Sequence, residues 1–533
     1  MTKGRMRLAI GATILAALFA CGHPSSSSNS ESASSVLRRG LSGEPASFDP
    51  AAAADNFSAQ VLTDLYEGLT TESPTGEAVP GVAASWTVGA DGKQYTFHLR
   101  PSARWSNGRP VRAQDFVFAW RRVVDPTHGS LVADNLRLIA GATQIIAGKA
   151  PPNTLGVSAP SDDILLVRLE EPAPYLPQVL THSSTFPIYS EASAQSHNAD
   201  TWISNGPYVL ARWQAGTTVE LRQNLNYWDR ANVHISRVEY QFVTDENAQL
   251  ARYRAGQIDV TDSVPANAIP ALRNEHSTEL VLTPFLATAY YGLNLIAGPT
   301  ASNVKLRQAL TLAIDRQRLV STLGFGQAPA YSFLPPGVWN YEQQPMPWKD
   351  LSDANRVNVA KRLFAEAGYT ADAPLRLRLL YNSSAAIKQT AILLAAMWKE
   401  TLGVDTELTD EEYRVFLQSR HDRTRWNALR LGWTADFNDA SNFLDIFRQN
   451  SSNNDEGYRN AAFDALLDQA AVTADSAQRG AFLEKAERML LTDYPIIPLY
   501  HYVSKRLVKP YVTGVQPSPL NRVSSKALAI QPH

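Results

Sequence analysis

The sequence predicts an α/β protein of two or three lobes, and three observations lead there. The chain has 533 residues, 44% hydrophobic and 19% charged, which exceeds the roughly 250–300 residues at which a single hydrophobic core stops growing. Strand and helix patterns are intermixed along it, as they are when helices cover a sheet. From residue 300 onward, helices with well-marked ends dominate and strands lie between them. A net charge of −2 excludes a strong general attraction to nucleic acid or to an anionic membrane surface, both of which need a basic field.

At the start, Lys3, Arg5 and Arg7 precede the apolar run Leu8 to Ala20, which suits the core of an export signal and is too short to span a bilayer. Leu18-Phe19-Ala20-Cys21-Gly22 has the pattern of a bacterial lipobox, with Phe19 bulkier than usual. Cys21 is the only cysteine, so it forms no internal disulfide. It is either acylated at a new N-terminus or a free thiol beside an ordinary cleavage site. Residues 1–21 are therefore read as a lipoprotein signal peptide and 22–35, rich in serine, as a flexible tether. Gly22 is not the aspartate that retains some lipoproteins at the inner membrane, which leaves open which membrane holds the lipid.

The mature chain begins extended, from Val36 to Asp49, and Pro50 closes that run because the residue before proline is steered away from helix. A short helix is expected over Ser58–Tyr66. Residues 80–124 read as a compact αβ unit, with an alternating strand over Gln94–Leu99 and a helix over Ala113–Val124 that shows Phe116, Ala119, Trp120 and Val123 on one face. Further strands are expected at Ile164–Leu169, Thr218–Arg222 and Ser236–Phe242, and a helix over Asn247–Arg254. In the second half, Asn303 caps a helix with Leu306, Leu310, Ala313 and Leu319 near one side. Ser352 caps the next, which stops at Gly368, and Ser384–Leu402 and Ser476–Leu491 are also helical. Strands are expected at Leu375–Tyr381, Trp426–Leu431 and Ile496–Tyr502.

No strong catalytic signature is present: there is no Gly-x-Ser-x-Gly elbow, His-Glu-x-x-His pair or phosphate loop. The ten histidines are scattered, so neither a metal site nor a cofactor is expected. The segment with most chemistry is Arg430 to Phe443, where an extended run ends in a Gly-Trp step and meets two carboxylates and two amides. From the residues alone it is either a ligand anchor or a strand ending in an Asx-rich turn.

The order of several short runs carries a resemblance. Pro80-Gly81-Val82-Ala83-Ala84-Ser85-Trp86, then Tyr95-Thr96-Phe97-His98-Leu99-Arg100, then Ala103-Arg104-Trp105-Ser106-Asn107-Gly108 resemble the peptide-binding class of extracellular solute-binding proteins that serve ABC importers. The likeness continues through Asn205-Gly206-Pro207-Tyr208, Tyr227-Trp228, Ile314-Asp315-Arg316 and Gly432-Trp433-Ala435-Asp436. Ser451-Ser452-Asn453-Asn454 and Arg506-Leu507-Val508-Lys509-Pro510 are similar to the periplasmic oligopeptide-binding members in particular.

The resemblance implies a two-lobed periplasmic-binding-protein fold with two crossover strands and an additional inserted domain. Residues 36–66, 190–287 and 505–533 would form lobe I, 67–189 the inserted domain and 288–504 lobe II. It implies a monomeric receptor without enzymatic activity that encloses short peptides between its lobes and delivers them to an ABC permease. Asp436 falls where the family's carboxylate meets the peptide α-ammonium. Gly432, Trp433 and Thr434 fall on the segment that pairs with the ligand backbone, and Asn56 on the opposite segment. Arg430 and Arg420 match cationic positions near the ligand carboxylate or in the site's charge network, where Asp410, Glu411 or Asp439 could also balance them. Tyr290, Asn382, Tyr413 and His182 match side-chain pockets.

Departures from the family pattern bear on the other end of the ligand. Ala54 replaces an acidic residue, Ile387 replaces a histidine used for the ligand carboxylate, and the Ser321–Gly326 loop lacks an expected lysine. Ala287 and Thr434 replace a cysteine pair. The alternatives are the same scaffold holding a murein peptide, a dipeptide or another cationic small ligand, or an exported peptide hydrolase or chaperone-like protein.

Overall fold

The computed structural model describes residues 36–191, 201–370 and 373–532. The expected signal peptide, Cys21 and the tether lie outside the described residues.

Three sheets organise the chain. The first has four strands in the order Val36–Leu41, Arg237–Phe242, Thr218–Gln223, Tyr208–Gln214. The second, also four-stranded, runs Ala83–Val88, Gln94–Leu99, Ile164–Arg168, Val157–Ser161. The third has six strands: Ala328–Pro329, Ile496–Leu507, Leu280–Leu293, Ala428–Thr434, Arg376–Asn382, Asp405–Glu411. Helices Val304–Leu312, Asp353–Glu366, Ala385–Leu402 and Ser476–Asp493 accompany the third sheet.

Local sequence accounts for most of these elements. In Gln94–Leu99 the alternation buries Tyr95, Phe97 and Leu99 and turns Gln94 and His98 outward. The helix Ala113–Val124 buries Phe116, Ala119, Trp120 and Val123. Each large side chain so buried contributes about 1.5–3 kcal/mol. Asp115 fixes the start of this helix, accepting from the Arg112 amide at 2.9 Å and from Trp105 Nε1 at 2.9 Å.

The hydrophobic core falls into two large clusters. One joins the first two sheets, from Leu37 and Tyr240 to Phe97, Trp120 and Leu165, so the second sheet shares its core with the first. The other fills the region from Leu286 to Tyr500. Two strands run from one side to the other. The first crossover strand, Leu280–Leu293, pairs antiparallel with the second, Ile496–Leu507, and the register shifts between Pro284 and Thr288. Leu507 belongs to a small cluster with Leu250, Tyr253 and Leu272, whereas Leu286 and Ile497 belong to the second large core. The lobe boundaries expected at 287/288 and 504/505 fall inside these two strands. The C-terminal segment also touches both sides: Leu520 lies in the second core, and Val523 and Leu528 lie in the first.

Two elements differ from expectation. The helix expected to run from Asn303 past Leu319 is two helices, Val304–Leu312 and Arg316–Leu323. Asp315 caps the second by accepting from the Arg318 amide at 2.9 Å, which favours a break there. The strand expected to end at Leu431 continues to Thr434.

Candidate functional site

Side chains alternate along Ala428–Thr434 and the residue after it. Leu431 and Ala435 are buried in the second core with Trp433 packed against it, while Gly432 and Thr434 are exposed and Arg430 is half-buried on the other face. On one side the strand is fully paired, with Arg430 to Thr434 opposite Tyr291 to Ala287 of the first crossover strand. On its other side Arg376–Asn382 pairs only at Ala428 and Leu429. Beyond Leu429 that edge has no partner strand among the described residues. Because an antiparallel strand turns the N–H and C=O of alternate residues away from its partner, this edge offers free donors and acceptors.

The open edge leads to Asp436. Asn442 orders this turn, because its Oδ1 accepts from Trp433 Nε1 at 2.9 Å and from the Asp436 amide at 3.3 Å. The Asp436 side chain keeps solvent contact, yet surrounding protein pushes its carboxyl above the usual value. Arg522 and an Asn442 hydrogen bond oppose that shift without cancelling it. Asp436 forms no ion pair among the described residues. The second carboxylate of the stretch, Asp439, is fully buried and gripped by Arg479 at 2.7 and 2.8 Å. A carboxylate without an ion pair among the described residues, at the end of an open strand edge, is suited to an ammonium group.

At the other end of the edge, Arg430 donates to Tyr502 Oη at 2.9 Å and has no carboxylate within ion-pair distance among the described residues. With Ile387, Thr390 and Tyr500 it borders a void of about 10 Å³, room for one water. Ile387 thus stands beside this guanidinium. Residues 77–455 match the family described as bacterial extracellular solute-binding proteins, family 5 Middle. The chain belongs to that family.

Among its family 5 relatives, the periplasmic oligopeptide-binding protein OppA of Salmonella typhimurium is 39% identical over 509 residues, covering 93% of each chain. The structure titled as the unliganded open form of the periplasmic murein tripeptide-binding protein MppA overlaps with a TM-score of 0.85 at 35% identity, covering 93% of this chain and 98% of that one. Haemophilus influenzae OppA in complex with RPPGFSPFR overlaps with a TM-score of 0.75 at 34% identity, covering 93% and 99%. These relatives are two-lobed binding proteins, and this chain shares their fold.

The residues singled out in the sequence fall into three groups. Arg430, Gly432, Trp433, Thr434 and Asp436 lie along one strand and its end. Ala287 and Thr434, where the family pattern has cysteines, stand directly opposite each other. Around this strand, Tyr290 pairs with Leu431 and is buried, its ring edge-on to Phe333 at 5.1 Å, and it also lines the small void beside Arg430. Asn382 is buried at the end of the neighbouring strand with its Oδ1 unpartnered among the described residues, and Tyr413 is exposed at the start of the helix Tyr413–Ser419. Arg420 faces Asp455 at 3.6 Å, a different carboxylate from the three weighed in the sequence.

His182 and Asn56 belong to the first core's side. His182 is buried, and its Nδ1 lies 2.8 Å from Ser184 Oγ and 3.2 Å from Asn135 Nδ2; burial lowers its pKa to about 3, so it stays neutral. Asn56 is exposed in the first turn of the helix Asn56–Leu65, and Asp55 caps that helix. No hydrogen bond or ion pair joins either residue to the edge strand among the described residues. Sequence reasoning missed Asn442 and Arg522. Asn442 could have been found inside the Asx-rich stretch. Arg522, whose Nη2 lies 3.4 Å from the Asp436 carbonyl oxygen, is 86 residues away and left no local signal.

Proposed function

We propose that this protein is a receptor that captures short oligopeptides in the cleft between its lobes and delivers them to an ABC permease. One observation carries the reading: among the described residues a strand edge without a partner strand, Arg430–Thr434, runs from a guanidinium without a carboxylate in ion-pair contact to Asp436, a carboxylate without an ion pair. An extended peptide added to that edge gains main-chain hydrogen bonds independent of its side chains. Its α-ammonium meets Asp436 and its carboxylate end approaches Arg430. Closure of the lobes around the ligand completes the site. Tyr413 and Asn382 contribute to side-chain pockets, and Asn56 meets the ligand from the first lobe on closure. Nothing in this cycle requires bond chemistry, and the protein acts as a monomeric binder in the periplasm. Acylated Cys21 and the tether of residues 22–35 hold it to a membrane.

Calorimetry tests the reading. Short peptides with free N-termini bind, and N-acetylation weakens them by roughly thirtyfold or more, the loss typical when a buried charge partner is removed. Equal affinity for acetylated and free peptides would overturn the assignment of Asp436. A murein peptide is the second reading, favoured by the overlap with the murein tripeptide-binding structure. Native mass spectrometry of protein purified from its own host separates the two by the mass of the retained ligand.

A further inference from the structure

One cavity is lined by no residue from Arg430 to Asp436, although Arg522 on its wall reaches the Asp436 carbonyl oxygen at 3.4 Å. It measures about 460 Å³, within the ~300–1,000 Å³ usual for small-molecule sites. Its walls come from the segment Glu67–Pro74, the loop around Tyr227 and the C-terminal segment from Gly514 to Ala527.

The charges on those walls are unequally satisfied. Lys526 pairs with Asp229 at 2.6 Å. Glu67, buried, accepts from Tyr227 Oη and Trp228 Nε1, each at 2.6 Å. Glu72 and Arg522 are left. Glu72 feels the charge of Arg522 first, with no ion pair between the two among the described residues, and accepts from Ser518 Oγ at 3.3 Å and from the Leu520 backbone. Arg522 spends one N–H on the Asp436 carbonyl oxygen at 3.4 Å, and no other side-chain hydrogen bond or ion pair of its guanidinium is present among the described residues. Both side chains are half-buried, and burial pushes Glu72 up and Arg522 down by more than their attraction for each other restores.

We propose that this cavity is a second ligand site, separate from the peptide cleft, for a zwitterion the size of an amino acid, with its carboxylate on Arg522 and its ammonium on Glu72. An anion alone would satisfy Arg522 but meet the negative charge of Glu72 and Glu67. A cation alone would satisfy the glutamates and be repelled by Arg522 and Lys526. A molecule carrying both charges a few ångströms apart answers both, and Tyr66 and Phe186 on the same wall offer apolar surface for a side chain. The site also bears on the hinge. The C-terminal segment that supplies Arg522 has Leu520 in one core and Val523 in the other, and its Pro519 carbonyl accepts from the Leu286 amide at 2.7 Å. An occupant that draws Arg522 toward itself changes the charge felt by Asp436, so the two ligands alter each other's affinity reciprocally.

Calorimetry on the full chain tests this, with glycine, L-leucine and L-arginine as probes and acetate and methylammonium as single-charge controls. One equivalent of amino acid is expected to bind wild type, and Glu72→Gln and Arg522→Gln each weaken it by roughly thirtyfold or more. These two variants change different segments, so a folding defect in one leaves the other informative. The proposal is overturned if no amino acid binds, if the single-charge controls bind as well, or if Asp436→Asn abolishes binding while Glu72→Gln does not. Peptide binding to wild type is measured separately, so failure of this site and failure of the peptide reading give different results.

Discussion

Asp439 and Arg479 form a doubly hydrogen-bonded ion pair, 2.7 and 2.8 Å long, with both side chains almost wholly removed from solvent. Three residues earlier, Asp436 has no such partner among the described residues. Two carboxylates of one short turn therefore serve different ends. Removing one member of a buried pair leaves the other charge uncompensated, at a cost of about 3–5 kcal/mol. Arg479→Met is expected to lower the unfolding free energy by that amount in urea titrations. Asp436→Asn is expected to leave stability nearly unchanged and to weaken free-amine peptides by about 2–5 kcal/mol.

The state of Asp436 makes binding pH-dependent. Its pKa lies above the ordinary 3.8 because burial outweighs Arg522 and Asn442. An α-ammonium needs the ionised form, so affinity falls as pH drops through that raised pKa, earlier than an ordinary aspartate would give. Titrations of one peptide between about pH 4 and 8 should show this acid loss, and the N-acetylated peptide should not.

Arg430 is expected to read the other end of the ligand. Arg430→Gln should weaken peptides with a free carboxylate by about 1.5–3 kcal/mol, the range for hydrogen bonds to charged groups. Amidated peptides should be nearly unaffected, so the ratio of the two affinities is the measurement that checks it.

Glu456 is fully buried, and neither carboxylate oxygen has a hydrogen-bond partner among the described residues. Burial raises its pKa to about 8. The folded state then holds a proton that the unfolded chain releases near 4.5. That contribution to stability is complete below 4.5 and is lost as pH rises through about 8. This one group should lower stability across the window by at most about 1.4 kcal/mol per pH unit. Glu456→Gln should flatten the slope, as read from urea midpoints at several pH values.

Where a pattern was local, the sequence displayed it. The strand Gln94–Leu99 and the helix Ala113–Val124 were legible to the residue, because period-two and period-3.6 burial need no tertiary information. The first crossover strand, Leu280–Leu293, escaped because it is apolar on both faces and interrupted by Pro284, which demotes a strand in any local reading. In the structure Pro284 sits at the register shift, where a missing N–H is tolerated. At the site, Gly432 to Asp436 stood out through family resemblance. The pairing of Arg420 with Asp455 and the approach of Arg522 to Asp436 depend on contacts that no local pattern encodes.

The edge strand is hydrogen bonded, from Ala428 to Thr434, to the first crossover strand, and Leu286, inside the register shift, accepts from the amide of Ala435. A peptide laid on the free edge would thus become an extra strand of the sheet that must bend when the lobes part. Tight holding and quick letting go would then draw on the same row of hydrogen bonds. Substitutions that lengthen the lifetime of the complex should also slow its opening, so a variant selected for affinity alone would make a poorer courier.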